Sequence, residues 1–107
     1  GERRAREIIY TGAPFSAADA LAWGLVNRLC TRETLLEETL ATAARIARNA
    51  PIAIRQAKKS TGIATQVDRA SGYQFELEAY NRMVSSADRH EGVRAFNEKR
   101  PPRFEGR

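Results

Sequence analysis

The sequence is poor in the residues that build many recognisable sites. It contains one cysteine, Cys30, and one histidine, His90, among 107 residues. A single cysteine excludes an internal disulfide framework and a cysteine cluster for a metal ion. The two residues also lie far apart in the sequence, so we expect no Cys–His nucleophile pair. We expect no metal site, and Cys30 is predicted to be a small core residue.

Long apolar runs are also absent. No stretch approaches the roughly 20 apolar residues of a membrane-spanning helix. The first residues, GERRARE, lack the apolar segment of a signal peptide. We therefore expect no membrane partner. Because the chain starts without Met and its first residues already resemble the interior of a helix, we expect it to be a fragment.

Lysine is scarce, whereas arginine is abundant. The chain has 18 Lys and Arg residues against 13 Asp and Glu, and its only lysines are Lys58, Lys59 and Lys99. The net charge of +5 permits a nucleic-acid surface or an anionic ligand. The cations are scattered among acids, however, and this pattern is typical of a solvated surface.

Helical periodicity covers most of the chain. Apolar spacing, caps and breakers predict helices at about residues 2–10, 17–23, 35–49, 52–60, 68–84 and 88–99. The longest has an apolar stripe with further apolar residues beside it, so we expect it to contact more than one partner. In the last helix, Val93 and Phe96 are the predicted buried pair, and Asp88 with Glu91 is predicted to cap it.

The segment Thr11 to Asn27, TGAPFSAADALAWGLVN, is predicted to reverse the chain twice. Gly12 suits the positive φ that often ends a helix. Ser16, with Asp19 three residues later, predicts an N-cap of the capping-box type. Gly24 is expected to end this short helix. A short buried strand is then predicted from four apolar residues, namely Leu25, Val26, Leu29 and Cys30.

Two sets of residues resemble a known family. The first set is Ile9-Tyr10-Thr11-Gly12, Phe15-Ser16-Ala17, Asp19-Ala20 and Gly24-Leu25-Val26; the second is Asp88-Arg89, Glu91-Gly92, Ala95-Phe96 and Glu98-Lys99-Arg100-Pro101. With Ala50-Pro51 and Lys58 between them, they resemble the second half of the crotonase family, the enoyl-CoA hydratase/isomerase superfamily. The ending EKRPPR is similar to hydratases of the methylglutaconyl-CoA type.

The resemblance implies a mainly α chain that belongs to an α/β parent. Residues 1–30 would be the last part of the crotonase core of ββα turns, with a helix, a short helix and a strand. Residues 31–107 would be the C-terminal helical region, which makes oligomer contacts in the family. The implied partners are further copies of the chain, in trimers that often pair into hexamers. The implied location is the cytoplasm, or the mitochondrial matrix in a eukaryote.

The resemblance also implies a reaction, most directly the addition of water to a 2-enoyl-CoA, with isomerisation as the neighbouring activity. Coenzyme A thioester is then the substrate, and no cofactor is expected. The family's oxyanion-hole N–H groups and its two glutamates match nothing in this sequence, so no catalytic residue is assigned. We therefore expect the 107-residue chain alone to be inactive.

Three residues match ligand-contacting positions of the family. Phe96 and Lys99 correspond to the residues near the adenine and phosphate end of coenzyme A, and Tyr80 to an aromatic near the acyl pocket. An aromatic face can pack on adenine and an ammonium can meet a phosphate. The sequence pattern itself favours core packing for Phe96 and Tyr80. It leaves Lys99 open between a phosphate ligand and a solvated helix end.

Two alternative functions, RNA binding and a purely structural role, stay open. The arginines and the net charge of +5 suggest a basic helical module that binds RNA, although the sequence has no arginine-rich block or aromatic platform. The apolar helix faces suggest a purely structural domain that holds subunits together. Retention on RNA at low salt would indicate the first reading. Self-association without ligand binding would indicate the second.

Overall fold

The computed structural model describes residues 1–107 and consists of helices and loops. The helices are α1 (Glu2–Thr11), α2 (Ala17–Ala22), α3 (Leu35–Ala47), α4 (Pro51–Ile63), α5 (Arg69–Val84) and α6 (Ala87–Asn97). The predicted helices are all present, and the mainly α fold is confirmed. Helix α4 runs past residue 60, where the sequence predicted its end, and includes Gly62. No helix combines the length and apolar character that a membrane crossing requires.

The strand predicted from Leu25 to Cys30 is wrong, because this segment is irregular. Gly24 has a φ of 72°, and the N–H of Leu25 donates to the carbonyl of Ala20 (2.9 Å), which folds the chain back onto the end of α2. A strand is stable only when neighbouring strands accept its backbone hydrogen bonds. Residues 1–107 contain no strand with which this segment could pair.

The chain divides into two compact units, Gly1–Glu38 and Thr39–Arg107. In the first unit, the predicted capping box is confirmed, since Ser16 and Asp19 exchange side-chain and backbone hydrogen bonds at the start of α2. Gly12 ends α1 in the left-handed conformation, as predicted, with a φ of 61°. The ring of Trp23 lies 5.2 Å from that of Phe15. Only Ala20 is buried in this unit.

In the second unit, α4 and α5 are the one pair of helices in extended contact. Pro51 begins α4, and Asp68 caps α5 by accepting the N–H groups of Ala70 and Ser71. Residues 98–107 leave α6 as a tail that runs beside α6 and reaches the start of α4, where a Cβ on Gly106 would meet Pro51 at 3.5 Å. The unit boundary after Glu38 differs from the predicted regions 1–30 and 31–107. That functional division stays a prediction.

Apolar side chains are largely uncovered in both units. The buried residues are three alanines and two acids, namely Ala20, Ala79, Ala95, Asp88 and Glu91. The predicted burial of Val93 and Phe96 is wrong, because these side chains are 53% and 84% exposed. The stripe on α5 is exposed as well, with Leu77 at 55%. The amphipathic faces therefore exist as predicted, but residues 1–107 do not supply the surfaces that would cover them.

Candidate functional site

The most developed polar cluster joins α6 to the tail. Asp88, Glu91 and Ala95 share one face of α6 and are 3%, 8% and 1% exposed. The predicted capping role of Asp88 and Glu91 is wrong, because Ser86 is the N-cap and its hydroxyl accepts the N–H of Arg89 at 3.2 Å. The two acids lie further into the helix, so their carboxylates are available to the tail.

Glu91 is the centre of this cluster. Its Oε1 accepts from Arg100 Nη1 at 2.6 Å and from the backbone N–H of Arg103 at 2.9 Å. Its Oε2 accepts from Arg100 Nη2 at 3.1 Å and from Arg94 Nε at 3.1 Å. Arg100 therefore grips the carboxylate with both ends of its guanidinium, a geometry that lysine cannot reproduce.

Asp88 holds the far end of the tail. Its two carboxylate oxygens accept the backbone N–H groups of Glu105 (2.7 Å) and Gly106 (2.8 Å). The N–H of Asp88 donates in turn to the carbonyl of Arg107 at 3.1 Å. These bonds fix the path of the tail backbone along α6.

The pKa shifts of Glu91 and Arg100 follow from these contacts. Hydrogen bonds from Arg100, then from Arg94 and from the backbone of Arg103, hold the pKa of the Glu91 carboxyl well below its ordinary value. The same contact with Glu91, followed by the contact with Glu98, raises the pKa of Arg100 above its ordinary value. Glu91 is consequently a fixed anion. It is not placed to act as a general acid or base near neutral pH.

Phe96 and Lys99 lie next to this cluster, at the end of α6. Phe96 is 84% exposed, so its aromatic face is open to a ligand or a partner. Lys99 is exposed and makes no ion pair. The structure therefore contradicts core packing for Phe96 and brings the two side chains to one turn of the chain. Their role in ligand binding stays a prediction.

Tyr80 lies on a different surface. It is 51% exposed and lines an apolar groove between α4 and α5, together with Ala53, Ala57, Tyr73, Leu77 and Met83. The groove has a volume of about 690 Å³. Neither Phe96 nor Lys99 lines it. Core packing of Tyr80 within this chain is wrong, whereas an acyl-pocket role stays a prediction.

Cys30 is the one thiol of the chain. The Sγ of Cys30 donates to Glu38 Oε2 at 3.3 Å, and this hydrogen bond raises the pKa of the thiol. A raised pKa keeps the sulfur protonated and weakens it as a nucleophile. Cys30 is half-buried in an irregular segment rather than in the predicted strand. No group of three or more His, Cys, Asp and Glu residues is placed to hold a metal ion.

Sequence reasoning missed the ion-pair cluster of Glu91, Arg94 and Arg100. The signal was present, because positions 88, 91 and 95 follow the helical spacing of three and four residues. Charged residues were assigned to the solvated face, and this rule fails where arginines and backbone N–H groups neutralise an acid. The nine-residue separation of Glu91 and Arg100 crosses a helix end, and only the path of the tail brings them together.

Comparison with known proteins gives one consistent result. The family model described as enoyl-CoA hydratase/isomerase matches residues 1–107. Mitochondrial enoyl-CoA hydratase of Pongo abelii is 38% identical over 104 residues, which cover 97% of this chain and 36% of that protein. Enoyl-CoA isomerase/hydratase fer4 of Mycosarcoma maydis is 35% identical over 107 residues, covering 100% of this chain and 39% of that protein.

The solved structures agree with this match. The crystal structure of an enoyl-CoA hydratase from Bacillus anthracis superposes on 97% of this chain with a TM-score of 0.94 and 42% sequence identity. The superposed part is 40% of that chain. This chain therefore matches part of a chain that is more than twice as long. This chain spans about 40% of the length of the relatives that it matches.

Proposed function

Because this chain belongs to the enoyl-CoA hydratase/isomerase family of the crotonase superfamily, we propose that it is the C-terminal part of an enzyme that acts on acyl-CoA thioesters. The reaction proposed for the whole enzyme is the addition of water to a 2-enoyl-CoA. One observation carries the proposal: the family model matches all of residues 1–107, and this length is only about 40% of a relative's chain. The proposed location is the mitochondrial matrix in a eukaryote and the cytoplasm otherwise. A relative from Pongo abelii, which is named as a mitochondrial enzyme, supports a mitochondrial location in a eukaryote.

This segment supplies no catalytic group in the proposed enzyme. Water addition needs an acid and a base close to the double bond, together with donors for the thioester oxygen. The buried carboxylates of Asp88 and Glu91 are both committed to the tail by short hydrogen bonds. The thiol of Cys30 is bound to Glu38. The 107-residue chain should therefore bind ligand without converting it.

Phe96 and Lys99 are the proposed contacts for the adenine and phosphate end of coenzyme A. Phe96 is 84% exposed at the end of α6, so the rest of this chain covers little of it. It offers a face on which adenine can stack. The unpaired ammonium of Lys99 follows three residues later and can approach a phosphate. Tyr80, in the α4–α5 groove, is the proposed contact for the acyl part.

The second proposed role is assembly into a trimer or hexamer. A folded protein of 11.9 kDa exposes about 6,000 Å². This chain exposes 9182 Å². The difference of roughly 3,000 Å² is more than one partner contributes to an interface of standard size. Its apolar part includes the α4–α5 groove, so the chain is suited to contacts with both a preceding core and neighbouring subunits.

The decisive experiment for catalysis uses crotonyl-CoA. Hydration removes the conjugated double bond, so turnover is followed as loss of ultraviolet absorbance. We expect no turnover by the purified 107-residue chain, together with measurable binding of coenzyme A in a calorimeter. Turnover by this chain would contradict the proposal that its catalytic groups lie elsewhere. Absence of binding would contradict the ligand contacts of Phe96 and Lys99.

A purely structural module is the second candidate, because the exposed apolar surface favours it directly. It predicts self-association without any binding of coenzyme A. Sedimentation velocity at several concentrations measures the association, and calorimetry on the same sample measures the ligand. Association with binding supports the enzyme proposal, whereas association alone supports the structural module. A strictly monomeric chain would contradict an assembly role in both cases.

A further inference from the structure

Lys99 has an unusual backbone conformation. Its φ is 53°, and it is the only residue other than glycine with a positive φ in the chain. The other such positions are held by Gly12, Gly24 and Gly106. A side chain in the left-handed region is strained by contact with its own backbone, and glycine avoids this strain. A lysine is therefore placed where the backbone alone would favour glycine.

The strain is part of the way in which α6 ends. The N–H of Lys99 donates to the carbonyl of Phe96 (3.2 Å), and the N–H of Arg100 donates to the carbonyl of Ala95 (3.0 Å). This pair of bonds is the Schellman arrangement, in which the left-handed position is usually glycine. Helix α1 ends with glycine at its own left-handed position, Gly12. The two helix ends therefore share a left-handed position, which is a glycine in one and a lysine in the other.

The ion-pair cluster holds the turn from its other side. Arg100 follows Lys99 directly and folds back along α6, where its guanidinium grips both oxygens of Glu91. The backbone N–H of Arg103 is bound to the same carboxylate. The residues that follow Lys99 are thus anchored to α6, which can maintain a conformation that Lys99 alone would not prefer.

Arg100 also removes a competitor for the Lys99 ammonium. Its Nε donates to Glu98 Oε2 at 2.5 Å. The carboxylate of Glu98 is next to Lys99 in sequence, and that of Glu91 is the nearest buried anion on α6. Both are already bound to arginine. An ammonium whose neighbouring anions are occupied keeps its charge available for an external anion.

We propose that Glu91 and Arg100 are positioning residues that hold Lys99 in its left-handed conformation and keep its ammonium unpaired for the phosphates of coenzyme A. This inference rests on the proposed ligand role of Lys99 and extends it to a pair that touches no ligand. Arg100 acts through Lys99 in two ways, by fixing the backbone turn and by occupying the carboxylate of Glu98. It follows that Arg100 has no effect on binding once the Lys99 ammonium is gone.

A double-mutant cycle tests whether Arg100 acts on binding through Lys99. The probe is adenosine 3′,5′-bisphosphate, and its binding to the 107-residue chain is measured by calorimetry. We expect Lys99→Ala to raise the dissociation constant about tenfold and Arg100→Gln about fivefold. In the Lys99→Ala background, Arg100→Gln should change it less than about twofold. Lys59→Ala, an exposed lysine on α4, is the control and should leave binding unchanged.

A second pair of variants separates positioning from folding. In Arg100→Gln, the released Glu98 should pair with Lys99, so Glu98→Gln in that background should restore part of the lost affinity. A purely structural role of Arg100 predicts no such rescue. If Arg100→Gln loses its helical circular dichroism, Arg100→Lys takes its place, because one ammonium cannot bridge Glu91 and Glu98 together. We expect about threefold weaker binding by Arg100→Lys.

The conformational part has its own test. Lys99→Gly relieves the left-handed strain, so we expect the melting temperature to rise by about 4 °C while the dissociation constant rises about tenfold, as in Lys99→Ala. An unchanged or lower melting temperature would overturn the strain argument. Suppose that the wild-type chain binds the probe and that Lys99→Ala weakens this binding. If the effects of Lys99→Ala and Arg100→Gln on the binding free energy are then additive, the coenzyme A contact of Lys99 stands and the positioning role of Arg100 is overturned. If the wild-type chain does not bind the probe, the ligand role of Lys99 fails first.

Discussion

Gly24 has a φ of 72°, and nothing lies within 4 Å of the position that a Cβ would take. Space is therefore available for a side chain, but the backbone conformation is not one that side chains adopt readily. Gly62, in contrast, lies inside α4 with ordinary helical geometry and equally open surroundings. The two glycines differ in conformation alone, so they form a natural pair for testing what a glycine contributes at the turn after α2.

Gly24→Val should destabilise the first unit. A β-branched residue at positive φ costs about 1–3 kcal/mol, which corresponds to a fall of at least about 4 °C in melting temperature. Gly62→Val is the matched control, and we expect a change of a few tenths of a kcal/mol in the stabilising direction. Thermal unfolding followed by circular dichroism measures both. Equal melting temperatures for the two variants would contradict the role of Gly24 in redirecting the chain.

Glu91 should make the second unit sensitive to acid. Its pKa is lowered in the folded chain, chiefly by Arg100, from an ordinary value of 4.5. The stabilisation is therefore complete above the ordinary value and is lost as the pH falls below it. Glu91→Gln should lower the melting temperature at pH 7 by more than about 5 °C, since an amide brings its own donors towards those of the arginines. Glu91→Gln should also make the melting temperature fall less steeply as the pH is lowered into the acid range.

The control for Glu91 is Glu7→Gln, which breaks an exposed pair with Arg4. Exposed ion pairs contribute little, so its melting temperature should stay within about 2 °C of the wild-type value at every pH. Melting curves between pH 3 and 8 compare the three proteins. A wild-type acid limb that persists unchanged in Glu91→Gln would assign the acid sensitivity to other carboxylates, such as Asp68 and Asp19, whose pKa values are also lowered.

At the scale of elements, α6 is the helix on which the proposed site depends. It starts at Ser86, whose hydroxyl accepts the N–H of Arg89 and donates to the carbonyl of Met83 at 2.7 Å. Asp88 and Glu91 then fix the tail, and the left-handed Lys99 closes the helix. The N-cap at Ser86 and the left-handed Lys99 after the last turn together define the length of α6. Phe96 and Lys99 therefore have fixed places along the backbone at its end.

Ser86→Ala should reduce the free energy of unfolding by about 1 kcal/mol, because the N-cap loses its hydrogen bond to the helix backbone. The neighbouring Ser85 is exposed and its side chain makes no such bond, so Ser85→Ala should change stability by less than about 0.5 kcal/mol. Urea denaturation of the two variants gives the comparison. A larger effect at Ser85 than at Ser86 would be incompatible with the observed cap.

At the scale of the whole molecule, exposed apolar area is the dominant feature. The first unit, Gly1–Glu38, has 38 residues and one buried residue, so it buries little apolar area of its own. In the second unit the α4–α5 groove leaves Tyr73 and Leu77 more than half exposed. These surfaces are the physical reason to expect the chain to associate, with itself or with a longer family core.

Leu77→Glu should weaken self-association by placing a charge in the α4–α5 groove, while the helical content stays near the wild-type value. Gln74→Glu adds the same charge to an exposed position of α5 that does not line the groove, and it is the control. Sedimentation velocity over a range of concentrations measures the association. Identical profiles for Leu77→Glu and the wild-type chain would exclude the groove as the contact.

Local signals in the sequence were sufficient for the helices and for several of their ends. Ser16 with Asp19 and Gly12 act through groups a few residues away, so their effects can be read from spacing alone. The strand was predicted wrongly because its stability depends on a partner that spacing does not reveal. Phe96 was assigned to the core for a related reason, since apolar character does not say whether a covering surface exists.

The sequence by itself determined the family, the helical content and the residues matched to the coenzyme A end, because these follow from local order along the chain. Tertiary structure alone decided how those residues are held. Glu91 and Arg100 meet only because the tail turns back along α6. That turn places a lysine where glycine would be easier, and a strained conformation of this kind persists only when contacts from outside the local segment maintain it.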